Sequence, residues 1–69
     1  MTKLYKAIDN FDGKLSGFLV HDGMVAITPW TYTNKEKIRI SKECVDMYGY
    51  QDIEEFERRA INPVLIAEW

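Results

Sequence analysis

The chain has 69 residues, of which 46% are hydrophobic and 29% charged, and a formal net charge of −2. A chain of this length fits one domain, residues 1–69, and this balance of apolar and charged residues excludes a disordered chain. The single cysteine, Cys44, excludes an internal disulfide, and no segment has the ~20 apolar residues of a membrane span or the pattern of a signal peptide. We therefore expect a cytoplasmic protein with no membrane partner.

The first 30 residues predict three antiparallel strands. Two Asp-Gly dipeptides, Asp12-Gly13 and Asp22-Gly23, bracket the eight residues 14–21. Asp-Gly supplies the positive φ angles that tight hairpin turns require, so the spacing predicts a meander with strands over residues 3–8, 14–20 and 24–30.

The middle strand of this meander is apolar on both of its alternating sides. Leu15 and Leu19 fall on one side, and Phe18 and Val20 fall on the other. We therefore expect the sheet to be covered on both faces, with Gly17 allowing another element to pack closely.

Residues 33–42 carry two conflicting patterns. Thr33 and Glu36 have the spacing of a capping box, which would start a helix. Ile38 and Ile40 instead alternate with basic residues, as in a half-buried strand. The sequence leaves helix or strand open over residues 34–40, and we favour a fourth strand over residues 36–40.

Two short helices and a final extended segment are predicted after residue 40. Ser41 would cap a helix over residues 42–48 that ends at Gly49. Asp52 and Glu55 would start a second helix, whose apolar side chains share one stripe: Tyr50, Ile53, Phe56 and Ala60. Pro63 ends that helix, and the apolar residues that follow predict a last strand or docked segment.

Together these elements predict an α+β fold. It consists of a small antiparallel sheet, a meander of three to four strands, packed by two short C-terminal helices, with a final C-terminal strand or extended segment.

Residues 41–61 have the outline of a helix-turn-helix, but their charges oppose DNA binding. The second helix opens with four acids before any basic residue: Asp52, Glu54, Glu55 and Glu57. Acids at these positions would face the DNA phosphates that a recognition helix must neutralise. We interpret them as a solvent face stabilised by pairing of Glu54 with Arg58 and Glu55 with Arg59. The alternative is an acidic surface, Glu54, Glu55 and Glu57, that binds a basic partner protein.

A second alternative concerns the basic residues near position 37. On a strand, Lys35, Lys37 and Arg39 would project from one face, close to Trp30 and Tyr32. Sheet surfaces of this kind bind single-stranded nucleic acid. Three cations on a negative chain are a weak signal, so we regard nucleic acid as the disfavoured partner.

The sequence carries no catalytic or metal-binding motif. His21 is the only histidine, and on a strand it would lie on the face opposite Ser16. The glycines form no phosphate-binding loop, and Cys44 is flanked by acids that disfavour a thiolate. We predict no enzyme activity, no cofactor and no metal site.

Aromatic content points to protein binding. Trp and Tyr dominate interface hot spots, and the positions of Trp30, Tyr32 and Trp69 at a strand end, in a loop and at the last residue favour their exposure. We predict a non-enzymatic protein-interaction module, an accessory or inhibitor protein, whose partner is another protein or a second copy of itself. The small size of the chain and its lack of recognisable motifs suggest a phage or mobile-element origin. The alternative is a sheet-based single-stranded nucleic-acid-binding protein.

Overall fold

A computed structural model of the chain describes residues 1–46 and 49–69. Over these residues the chain forms a five-stranded antiparallel sheet with two helices. The elements in chain order are β1 (Lys3–Asp9), β2 (Leu15–His21), β3 (Met24–Pro29), α1 (Asn34–Glu43), β4 (Gln51–Asp52), α2 (Glu54–Arg59) and β5 (Ala60–Glu68). The strands lie side by side in the order β4-β3-β2-β1-β5.

The predicted meander is confirmed as β1, β2 and β3, with each boundary within one residue of the expected one. At the second turn, Asp22 and Gly23 have φ angles of 50° and 73°, and they join the paired residues His21 and Met24. Two consecutive positive φ angles match the right-handed twist of the flanking strands, which explains why the Asp-Gly signal located this hairpin correctly.

The C-terminal segment forms a strand, as predicted. β5 starts at Ala60, directly after α2, and pairs with β1 at the edge of the sheet. Its register shifts twice against β1, and Asn62, before Pro63, has a positive φ of 51°. β5 is therefore an irregular edge strand with Pro63 inside it, where the missing N–H is tolerated.

The favoured strand over residues 36–40 is wrong, because this segment belongs to α1. The capping box decides the conformation: the Thr33 hydroxyl accepts from the Glu36 N–H at 3.3 Å, and the Glu36 carboxylate accepts from the Thr33 N–H at 3.2 Å. Two of the most buried positions of this helix hold Lys37 and Ser41. The buried positions of this helix therefore carry polar residues and show no apolar helical periodicity, while the two isoleucines suggested a strand.

The helix predicted over residues 42–48 is also wrong. Ser41 does not cap a helix but lies buried inside α1, which ends at Glu43. Tyr48, assigned to that helix, lies outside the described residues. The helices are thus not two short C-terminal ones, because α1 begins near the middle of the chain.

The second predicted helix is present as α2, although it is shorter than expected. Asp52 does not occupy the N-cap position, which falls at Ile53, but its carboxylate accepts from the Glu54 N–H at 3.1 Å. Ile53 and Phe56 pack on the core as the apolar stripe predicted. Ala60 also packs there, but as the first residue of β5, and Tyr50 does not join the stripe because it lies beside Leu19 and Ile40 on the α1 face.

The sheet has α2 on one face and α1 on the other. On the α2 face, the Phe56 ring lies 4.8 Å from that of Tyr5 and 5.7 Å from that of Phe18, which is fully buried. On the sheet face that α1 covers, Leu4 and Leu19 are buried. Residues 16–19 of the middle strand are therefore buried on both faces, as the sequence predicted, whereas Leu15 at the start of the strand is exposed.

Gly17 on β2 allows close packing, as predicted. A methyl group at Gly17 would lie 2.8 Å from Cε of Lys37 and 3.2 Å from Cε3 of Trp30. Both distances are shorter than ordinary carbon contacts, so a side chain here would displace the end of the Lys37 side chain or the indole.

Candidate docking surface

One end of the α1 face is left uncovered and exposes an aliphatic row. Ile8 on β1 pairs directly with Leu15 on β2 and with Ile61 on β5, so the three side chains lie in line across three strands. Their exposed fractions are 43%, 42% and 40%. β1 and β2 are interior strands, and their apolar side chains are normally covered. The exposure therefore marks a surface that no element of the described chain covers.

Val64 extends the row along β5. It pairs with Lys6, two residues from Ile8 on the same face, and is 58% exposed. We call the four side chains Ile8, Leu15, Ile61 and Val64 the aliphatic patch. Lys6 borders it, with its ammonium 5.1 Å from the centre of the Trp30 ring.

A groove of about 440 Å³ adjoins the patch at the end of β2 and β3. Leu15 belongs to both the groove and the patch, and the other lining residues are Asp12, Lys14, Ser16, Pro29, Trp30 and Thr31. A side chain from a partner lying on the patch could therefore enter the groove past Leu15.

Phe11 stands at the tip of the β1–β2 hairpin and is 83% exposed. The guanidinium of Arg59 lies 5.1 Å from the centre of its ring, which restricts the aromatic side chain without covering it. Phe11 is the most exposed aromatic residue that the structure describes. A partner on the hairpin end would contact it.

Lys37 is the most unusual residue beside this surface, because it is a buried cation. Its side chain is 5% exposed, and among the described residues no carboxylate lies within salt-bridge distance. The ammonium donates to the Thr28 hydroxyl at 2.5 Å and to the Pro29 carbonyl oxygen at 3.3 Å. Burial lowers the pKa of Lys37 from its ordinary value.

Replacing Lys37 with methionine is expected to stabilise the protein by about 1 kcal/mol. Methionine keeps the carbon chain that packs on Gly17, and water can replace the ammonium at Thr28 and Pro29, which are exposed. Urea unfolding followed by circular dichroism measures the change. Lys35→Met on the exposed side of the same helix is the control and should change stability by less than about 0.5 kcal/mol.

The gain in unfolding free energy that Lys37→Met produces should depend on pH. The folded-state pKa of Lys37 lies below the unfolded one, so the cost of burying the charge is complete below the folded pKa and disappears above about pH 10.4. Wild-type stability should thus approach that of the variant as pH rises across this window. A variant less stable than the wild type at pH 7 would contradict the prediction.

The aromatic interface candidates occupy three different places. Trp30 is half-buried against Gly17, and its buried Nε1 has no hydrogen-bond partner among the described residues. Tyr32 is 47% exposed in the loop before α1. Trp69 is half-buried, with the Lys42 ammonium 5.5 Å from its ring centre. Only Trp30 adjoins the aliphatic patch, through the groove.

The acidic candidates lie on α2. Glu54 and Glu57 are exposed, whereas Glu55 is partly buried and accepts from Arg58 at 2.6 Å. The Arg59 guanidinium is 4.0 Å from the Glu55 carboxylate. This distance is too long for a strong ion pair, so the main partner of Arg59 is a different residue. Glu54 and Glu57 are therefore the two side chains of this group that are free to face a basic partner.

The three basic candidates do not all share one face. They lie on α1, where Lys35 and Arg39 are one turn apart on the same exposed side and Lys37 points in nearly the opposite direction. Lys37 is buried, Lys35 is exposed, and Arg39 donates to Glu43 at 3.0 Å. The strand surface on which nucleic-acid binding was predicted is therefore absent from this segment.

Two features were not found from the sequence. Ile8 and Leu15 were assigned to strands, but only the position of α1 shows that they are exposed. Asp9 was not singled out, yet it accepts from Arg59 at 3.1 and 2.6 Å, fifty residues away along the chain. No local pattern could identify either feature, because both depend on packing between distant segments.

Ser16 and His21 lie on opposite faces of the sheet, as predicted. His21 Nδ1 is 2.7 Å from the Thr2 hydroxyl, so the imidazole joins the start of β1 to the end of β2. Over residues 1–46 and 49–69, no cluster of three or more His, Cys, Asp and Glu side chains is arranged to hold a metal ion. That no metal or cofactor binds stays a prediction.

Comparisons with protein-family models, with curated proteins and with solved structures found no match. Among the described helices, none combines the length and apolar character needed to cross a membrane. The interpretation of the surface thus depends on its own geometry.

Proposed function

We propose that this protein is a non-enzymatic protein-interaction module that docks on its partner through the aliphatic patch. The observation that supports the proposal is the cross-strand row Ile61, Ile8 and Leu15, which is 40–43% exposed although two of its strands are interior. Contiguous exposed apolar side chains with a polar rim are typical of protein interaction sites.

The energetics of the patch suit a docking role. Burying the exposed part of one aliphatic side chain contributes roughly 1 kcal/mol. Four such side chains offset part of the cost of association, and Phe11 and the groove offer places for further contacts. The free Glu54 and Glu57 are on α2, which packs on the other sheet face, so they would form a separate surface.

An accessory or inhibitor subunit is the form of this function that we propose, with a phage or mobile-element origin. Such a protein acts by occupying a surface of its target, which requires a docking patch and no reaction chemistry. The size and the apolar row of this domain are compatible with that role.

The double variant Ile8→Lys and Leu15→Lys is expected to abolish partner binding, because it places two charges in the middle of the patch. Wild type and variant are immobilised, incubated with lysate of the native cell, and compared by quantitative mass spectrometry. The matched control is Met24→Lys, which changes a 42% exposed residue at the other end of the same face. Thermal unfolding checks that all three proteins are folded.

The specific outcome is a protein retained by the wild type and by Met24→Lys but lost from the double variant. Equal retention by all three, or retention of nothing by the wild type, would contradict docking through the patch.

A further inference from the structure

The two edges of the sheet differ strongly. β4 forms one edge with two residues, Gln51 and Asp52, and β5 forms the other with nine. Within the described chain, β1 is the only neighbour of β5 in the sheet. The outward backbone groups of β5 are therefore available to another strand.

The composition of β5 is unusual for an open edge. From Ala60 to Ala67 it carries no charge, whereas edge strands are commonly protected by lysine or other charged residues. Val64 is 58% exposed on the α1 face, and Leu65 is 49% exposed on the α2 face. The edge thus presents aliphatic side chains on both sides of its exposed backbone.

Two irregularities lie in β5. Pro63 has no N–H to donate, and Asn62 before it has a positive φ of 51°, so the part of the edge that can pair begins at Val64. The second register shift leaves Ile66 as an extra residue between Leu65 and Ala67, so the pairing segment, residues 64–68, contains one bulge. A segment this short favours one defined partner.

We infer that the occupant of this edge is a second copy of the chain, with residues 64–68 of the two copies antiparallel about a two-fold axis. The inference goes beyond the proposed function, because it concerns residues 64–68 at the β5 edge, which share only Val64 with the aliphatic patch. Its first support is charge: a neutral strand can lie beside its own copy without repulsion, and the one charged residue of the segment, Glu68, is 3.7 Å from Lys3 of its own chain.

The second support is geometry. Antiparallel pairing about a two-fold axis places the aliphatic side chains of each copy beside those of the other on both faces of the joined sheet. Because β4 is short and carries Asp52, each copy has one edge suited to pairing, so the assembly closes as a dimer with a ten-stranded sheet.

The wild-type chain is expected to sediment as a dimer, at twice its 8.1 kDa mass, at concentrations of about 100 μM. Leu65→Lys and Leu65→Glu should each be monomeric, because like charges then meet near the two-fold axis. An equimolar mixture of the two variants should recover the dimer, which a variant that simply unfolds could not do. The patch variant Ile8→Lys, Leu15→Lys should stay dimeric.

A monomeric wild type, or dimeric Leu65→Lys and Leu65→Glu variants, would overturn pairing through β5. Neither result bears on the lysate comparison, which uses the patch variant. Conversely, a dimer that persists while no cellular partner binds would reject the docking proposal and leave this inference standing.

Discussion

Replacing Arg59 with methionine is expected to leave most of the protein unfolded at 25 °C. The Asp9 side chain is 4% exposed, and its two oxygens accept from Arg59 at 3.1 and 2.6 Å. Without the guanidinium, a buried carboxylate loses its counter-charge, which typically costs 3–5 kcal/mol, or about the whole stability of so small a domain. Urea unfolding monitored by circular dichroism would measure the loss.

The other contacts of Asp9 also explain why Arg59→Met should lower the stability strongly. Its carboxylate accepts from the Phe11 N–H at 2.9 Å, and its backbone bonds to Lys14 and Gly13 close the β1–β2 turn. The Asn10 N–H donates to the Arg59 carbonyl oxygen at 2.8 Å. The ion pair therefore joins the first hairpin to the junction of α2 and β5.

Two controls separate the charge effect from lost packing. Arg58→Met removes a neighbouring arginine that is 67% exposed, and it should change stability by less than about 0.5 kcal/mol. The double variant Asp9→Leu, Arg59→Met removes both charges and should be more stable than Arg59→Met alone. Equal destabilisation by Arg58→Met and Arg59→Met would show that burial of Asp9 is unimportant.

Acid should weaken the same interaction. The hydrogen bonds from Arg59 hold the pKa of Asp9 below its ordinary value, and the pKa of Arg59 is raised in return. Because the folded pKa of Asp9 lies below the unfolded one, its contribution is complete above about pH 4 and is lost as pH falls through the folded pKa. Wild-type unfolding in acid should therefore include a contribution that Asp9→Leu, Arg59→Met lacks.

Truncation after Pro63 is expected to unfold the domain as well. The deletion removes the part of β5 that pairs with Lys3, Leu4, Tyr5 and Lys6, and the paired backbone bonds between Thr2 and Trp69 at 2.7 and 2.9 Å. It also uncovers Leu4, which is fully buried beside Ala67. The half-buried Ile66 and Trp69 would each contribute about 1 kcal/mol, and the lost strand pairing adds several hydrogen bonds.

The control for truncation keeps the strand and changes its exposed side chains. Val64→Ser with Leu65→Ser should melt within a few degrees of the wild type, since both residues are about half exposed. Circular dichroism melting and sedimentation would compare the three chains. A truncated chain with unchanged melting and unchanged mass would show that the segment is dispensable.

The elements found correctly from the sequence are those specified by local chemistry. Asp12-Gly13 and Asp22-Gly23 located both turns, because positive φ angles at Gly13, Asp22 and Gly23 depend on the residues themselves. The first turn is longer than the tight one predicted, since it spans residues 10–14 and Asp12 has no positive φ. The apolar residues after Pro63 predicted β5, although the sequence did not show that β5 is an edge strand. Within the described chain β5 pairs with β1 alone, and β1 is so far away in sequence that no local pattern reveals the pairing.

The errors arose where burial contradicted residue type. Lys37 and Ser41 occupy the sheet side of α1, so the helix has no continuous apolar stripe, and the strand pattern of Ile38 and Ile40 was given too much weight. Its capping box was the better guide, because a cap fixes the backbone directly. The pairing of Arg59 with Glu55 followed helix spacing, but the buried Asp9 is the nearer partner.

The pairing of β1 with β5 also constrains how the protein folds. Lys3 lies opposite Glu68, so the sheet is completed only when the two ends of the described chain meet. Closing so long a loop costs chain entropy before any contact between the ends repays it, and folding should be slower than that of a helical bundle of equal size. On the ribosome, β1 would remain without its second neighbour until β5, Ala60–Glu68, has emerged from the exit tunnel.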